Sequence, residues 1–245
     1  MEIVYCANGN KRFAQIAIDA GMRYGAQMPN TIHHPIWFAD QDWRKPNRQR
    51  YMAALAEHRP HLATVLDWEH PEQLSQVLSW AEEAAAYVDQ VAIIPKVIGG
   101  VARIPDTIGG KPVILAYSVP TRYAGTQVPL WEFGRRPTHL LGGSPHAQIE
   151  LTHYLNVVSI DGNYTKKMAI YCQFWTPGDA TYAKDRYWPR LTEADGHKWE
   201  HDAPYEAFRR SCHNIMDYWR KHPCLPKPMT STFTTSTKNP TLTPT

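Results

Sequence analysis

Seven short apolar runs, separated by stretches with helical spacing, constrain this chain more than any other feature: "EIVYCA" (2–7), "PIWFAD" (35–40), "LATVLDW" (62–68), "QVAIIPKV" (90–97), "KPVILAYS" (111–118), "THLLGG" (138–143) and "VVSIDG" (157–162). Each is a continuous apolar run rather than an alternation of apolar and polar residues. That pattern belongs to strands buried on both faces, and so to a parallel sheet with helical crossovers. Helices are predicted over "RFAQIAIDAGMRYG" (12–25), around 47–58, over 71–88 with Pro71 in the first turn, and over 144–155 with Ser144 as N-cap. A doubly wound open sheet and a TIM-type barrel compete. No G-x-G-x-x-G follows the first run, so the barrel is preferred. No eighth strand is visible after Asp161, and the barrel is read as incomplete or distorted. The fold class is thus α/β, a TIM-type (β/α)8-like barrel with a helical C-terminal elaboration. Residues 1–170 form the barrel, 171–225 a helical, aromatic and basic elaboration, and 226–245 a flexible Thr/Ser/Pro-rich tail.

Charge and cysteine usage narrow the setting. A net charge of +3 over 245 residues permits a polyanionic partner without demanding one. The basic residues cluster among aromatics at 42–50, 133–137, 164–167 and 208–222. Any one cluster suits a solvated face; together they suit a nucleic-acid groove. The four cysteines are irregularly spaced and form no C-x-x-C, which argues against a disulfide framework. No apolar run approaches the roughly 20 residues of a membrane span, and "MEIVYCANGN" does not read as a signal peptide. The expectation is a soluble, cytoplasmic protein.

In a barrel of this kind the C-terminal ends of the strands build the site. Those ends carry Asp40 and Asp42, then Asp67 and Glu69, then Lys96 followed by Gly99 and Gly100, then Gly142-Gly143-Ser144, and last Asp161-Gly162-Asn163. A single strand-end Asp is more often a turn former or a cap. Three acids converging beside a glycine pair point instead to a site. Paired carboxylates suit carbohydrate or nucleoside chemistry, where one attacks an anomeric carbon and the other moves protons. The glycines offer unobstructed backbone N–H groups to a flat base. Trp43, Trp68 and Tyr117 are candidates to stack on it, although each is equally suited to a core or rim position.

The ordered set "FADQDW", "VLDWE", "HLLGGS" and "SIDGNYTKK" resembles a reduced tRNA-guanine transglycosylase barrel, and in its short length and "LLGGS…SIDGN" form is most similar to the phage-type DNA 7-deazaguanine transglycosylases. The resemblance covers roughly residues 1–170. It implies exchange of guanine in DNA for a free 7-deazaguanine (preQ0-type) base through a covalent Asp–C1′ intermediate. By position it makes Asp161 the nucleophile, Asp40 the acid/base, Asp67 the reader of the base edge, and Gly142 and Gly143 backbone contacts to the base. Asp42 competes with Asp40, because the Asp-Ser-Gly-Gly run of the tRNA enzymes is replaced here by Asp40-Gln41-Asp42-Trp43. Lys166, Lys167, Arg135, Arg136 and Arg122 are candidate phosphate contacts. The C-x-C-x-x-C zinc cluster of the tRNA enzymes is missing. Cys212, His213, His222 and Cys224 fit no common zinc spacing, so no zinc and no other cofactor is expected. Loss of the zinc region, through which the tRNA enzymes dimerise, makes a monomer the expectation. The alternatives are an RNA base-exchange enzyme, a nucleoside or glycoside hydrolase, and a non-enzymatic nucleic-acid-binding barrel.

Overall fold

The computed structural model describes residues 1–7, 9–121, 125–178, 188–192 and 202–223. Parallel strands β1 (Glu2–Cys6), β2 (Arg23–Met28), β3 (Phe38–Gln41), β4 (Leu62–Thr64), β5 (Gln90–Ile93), β7 (Lys111–Ser118), β8 (Thr138–Leu141) and β9 (Val157–Gly162) pair in sequence. The ring closes at both joints, with β5 on β7 and β9 on β1. The two-residue β6 (Thr107–Ile108) only forms a small antiparallel hairpin with β7. The chain is therefore a closed TIM-type α/β barrel, the fold class expected, and its eighth strand is present.

The missing strand is β2, whose first three residues lie in the segment expected to be helical. Helix α1 covers only Lys11–Asp19, with the Asn10 side chain accepting from Arg12 N. It stops because Gly21 takes φ +95°, while Gly21 N donates to Ile18 O and Met22 N to Ala17 O. This is a Schellman stop, which a residue with a Cβ adopts only under strain. The chain turns at once into β2, whose Gln27 lies in register with Asp40 of β3.

The other helices are α2 (Arg48–His58), α3 (Leu74–Ala85), α4 (Leu130–Phe133), α5 (Pro145–Leu151), α6 (Tyr164–Ala169) and α7 (Ala203–Lys221). Ser144 caps α5 as expected, accepting from Ala147 N at 3.3 Å. A large apolar cluster fills the layer between barrel and helices. The barrel interior holds a smaller one that includes Val4, Cys6, Phe38, Leu62, Ala92, Ile94, Ile114 and Ala116. Helix α7 is seated on α1: Phe208 lies 5.0 Å from both Tyr5 and Phe13, ring centre to ring centre. The Thr/Ser/Pro-rich stretch from 226 on lies outside the described residues. No helix among the described residues is long and apolar enough to cross a membrane.

Candidate active site

Strand parity decides which side chains meet. Alternate residues of a barrel strand face inward. Because Val4, Phe38 and Leu62 fill the interior, the same parity turns Asp40, Thr64 and, on β9, Ser159 and Asp161 inward. A pocket of about 260 Å³ opens at the C-terminal mouth, lined by Cys6, Ala7, Gln27, Asp40, Leu141, Gly142, Asp161, Gly162 and Asn163. Two of the three acids picked out above, Asp40 and Asp161, thus share one cavity. Its size lies just below the roughly 300–1,000 Å³ of sites for drug-sized ligands.

Asp161 is almost fully buried. Its Oδ1 accepts from Gly142 N at 3.0 Å, and its backbone carbonyl accepts from Gln148 Nε2 at 2.7 Å. Gln148 Nε2 also donates to Gly142 O at 2.8 Å, which ties the end of β8 to the end of β9. Asp40 accepts from Thr64 Oγ1 at 3.1 Å, and Thr64 Oγ1 in turn accepts from Gln41 N at 2.8 Å. Burial pushes the Asp40 carboxyl up to about 8. The Asp161 charge adds to that shift, the Thr64 hydroxyl opposes it, and Asp67 and Asp42 add smaller repulsions. The Cys6 thiol beside them is pushed well up by burial, then by Asp161 and Asp40, and stays protonated near neutrality.

The glycine pair has a structural explanation. Gly142 and Gly143 take φ +68° and +84°. A Cβ on Gly143 would stand 2.8 Å from Val119 Cγ1. The Gly142 N–H is aimed at Asp161, so it holds that carboxylate and is not presented to a ligand.

Asp67 lies on the neighbouring part of the rim. Lys96 Nζ sits 2.6 Å from Asp67 Oδ2 and 3.0 Å from Glu69 Oε1. Burial pushes Asp67 up against the pull of Lys96. Burial would lower the Lys96 ammonium, but Asp67 and then Glu69 together hold it above its ordinary value. At these distances the group is a charged Asp67–Lys96–Glu69 cluster. A carboxylate bonded to Lys96 has less capacity to read a base edge than one standing alone.

Trp43 is 47 % exposed on the same rim, with Lys96 Nζ 5.9 Å and the Arg44 guanidinium 5.1 Å from its ring. Asp42 forms a local turn, its Oδ1 accepting from Arg44 N at 3.1 Å. Of the two competing acids, Asp40 is the one that lines the pocket with Asp161.

Several sequence expectations are corrected. Trp68 is a core residue with no exposed surface, its Nε1 donating to His70 O at 2.9 Å. It packs so closely on Gly100 that a Cβ there would lie 2.7 Å from the indole. Tyr117 is likewise buried, 5.1 Å from Phe133. Arg135 and Arg136 precede β8 and so lie at the N-terminal end of the barrel, opposite the pocket. Arg136 is engaged there with Ile104 O and Pro105 O, both at 2.8 Å, and with Asp106. Arg122 and Cys224 lie outside the described residues. Lys167 is exposed on α6, and Lys166 packs with its Nζ 5.7 Å from the Phe13 ring centre. On α7, Cys212 is buried while His213 is exposed, so adjacent residues point apart. His222 is held by Tyr218, Nδ1 lying 2.9 Å from its carbonyl oxygen. Among the described residues no three His, Cys, Asp or Glu side chains are grouped to hold a metal.

Sequence reasoning missed His139. It sits wholly buried inside the barrel on β8, its ring 4.6 Å from Phe38. Nδ1 lies 2.7 Å from Ser159 Oγ, and Nε2 lies 3.4 Å from Asp161 Oδ1. The available signal was parity: Ser159 and Asp161 are two apart on one strand, and His139 interrupts an otherwise apolar run.

Fold and site together define a closed, eight-stranded parallel α/β barrel of TIM type with two carboxyl side chains in one pocket at the strand C-termini. Residues 15–220 match the model of a family described as a "Family of unknown function (DUF6610)", and the chain belongs to that family. No curated protein matches it.

Proposed function

We propose that this protein is a base-exchange glycosyltransferase that replaces guanine in DNA with a free 7-deazaguanine. The observation that carries the reading is the unequal pair of carboxylates in one pocket. Asp40 is biased toward its protonated form near neutrality, and Asp161 is held by a backbone N–H. Double displacement needs that division: an attacking carboxylate and a group that carries a proton.

In the first half-reaction Asp161 attacks C1′ of an extruded guanosine. A C1′–O bond forms, the C1′–N9 bond breaks, and the electron pair leaving with N9 takes the Asp40 proton. In the second, Asp40 recovers a proton from N9 of the incoming base. N9 attacks C1′, and Asp161 departs as a carboxylate. Protons and charges balance over the cycle, with no external oxidant or reductant. The target nucleotide must leave the stack to enter the pocket. Exposed Trp43 on the neighbouring rim would stack on it. Lys167, exposed on the helix after β9, is the better of the remaining phosphate contacts.

The test is incubation with guanine-containing DNA and radiolabelled 7-deazaguanine, with RNA of the same sequence in parallel. Label entering DNA supports the reading. Label entering RNA alone moves the activity to RNA. Release of guanine without incorporation identifies a hydrolase, and neither release nor incorporation leaves a binding barrel; either of these overturns base exchange.

A further inference from the structure

One imidazole inside the barrel lies between Ser159 and Asp161. His139 Nδ1 faces Ser159 Oγ at 2.7 Å, and Nε2 faces Asp161 Oδ1 at 3.4 Å. Nε2 is buried and has no hydrogen-bond partner among the described residues. Two tautomers are open to it. A proton on Nδ1 would donate to Ser159 and point the Nε2 lone pair at a carboxylate oxygen, two acceptors facing each other in a buried setting. A proton on Nε2 lets the Ser159 hydroxyl donate to Nδ1 and turns an N–H onto Asp161. The buried setting makes the first arrangement costly, so the second is selected.

We propose that His139 is a positioning residue for Asp161: it carries its proton on Nε2, is held in that tautomer by the Ser159 hydroxyl, and orients the nucleophilic carboxylate. Gly142 N already donates to Oδ1. His139 approaches the same atom, and the Cys6 thiol also hydrogen-bonds the carboxylate. The titratable groups around Asp161 are Cys6 on β1, Asp40 on β3 and His139 on β8. Cys6 is a protonated thiol and Asp40 a competing carboxyl. The imidazole is the one aromatic nitrogen donor among them. The 3.4 Å approach is long for a hydrogen bond; such contacts commonly tighten only when substrate is bound.

The claim that His139 serves the reaction rests on the base-exchange reading, while its tautomer does not. The experiment therefore has two arms. In the first, ¹⁵N-histidine-labelled full-length protein is compared with Ser159→Ala by NMR. The expected result is a protonated Nε2 and an unprotonated, hydrogen-bonded Nδ1 in wild type, with the Nδ1 signal displaced in Ser159→Ala. A proton on Nδ1 in wild type overturns the proposal. In the second arm, His139→Leu lowers kcat roughly 10- to 100-fold with KM unchanged, and His139→Gln, which keeps an N–H donor, recovers most of the loss. Equal losses in both variants, or a change confined to KM, overturn the positioning role. If the tautomer is as stated but wild type exchanges no base, the base-exchange reading fails and the hydrogen-bonded arrangement stands. Should His139→Leu not fold, His139→Gln and the wild-type tautomer carry the test.

Discussion

Asp40 and Trp68 show how far a side chain's surroundings outweigh its type. Asp40 is an acid whose ionisation the folded protein resists, chiefly through burial and the neighbouring Asp161. Its raised folded pKa fixes the sign of a linkage effect. Below about pH 4 both folded and unfolded states hold the proton and nothing is lost; as pH rises toward about 8 the folded state is increasingly penalised. Asp40→Asn should therefore melt higher than wild type at pH 8–9. The gap should be on the order of a few kcal/mol at most and should close toward pH 4; thermal unfolding across that range checks it. The tryptophans separate in the same way. Trp68, wholly enclosed, should cost about 3–5 kcal/mol on truncation to Ala, whereas exposed Trp43 should change stability by less than about 0.5 kcal/mol. Urea unfolding of both variants, beside their affinity for single-stranded DNA, distinguishes a core residue from a stacking one.

At the scale of elements, the stop after α1 is decisive for closing the ring. Gly21 holds a positive φ, and a Cβ there would meet only Met216 Cε at 3.5 Å, an ordinary contact. Gly21→Ala should thus cost about 1–2 kcal/mol through backbone strain alone, measurable as a lower urea midpoint with an unchanged m-value. This stop also explains what could be read from sequence. The seven apolar runs were visible because both their faces are buried. β2 was not, because "RYGAQM" begins with an exposed Arg23 and ends beside the polar mouth at Gln27, so it continues the polar spacing of α1. Asp40 and Asp161 were legible as acids closing apolar runs. The burial of Trp68 and the Lys96 partner of Asp67 depend on how the β4 and β5 ends fold over one another, with Trp68 N donating to Ile94 O and Lys96 N to Trp68 O. Strand-end order carries no record of that.

For the whole molecule, polarity along the barrel axis decides where a polyanion can lie. The pocket opens at the C-terminal end, and the Arg135–Arg136 pair lies at the other. Lys167→Ala should weaken DNA binding and reduce the salt slope of log K by about 1, while Arg135→Ala should leave both unchanged; fluorescence anisotropy over a salt series reads the difference. The central claim concerns one bond. Wild-type protein mixed with guanine-containing DNA and then denatured should run as a covalent protein–DNA adduct, and mass spectrometry should place the nucleotide on Asp161. Asp161→Asn, folded and still binding DNA, should form none. An undiminished adduct in Asp161→Asn, or base exchange by wild type with no adduct trapped, would contradict the account.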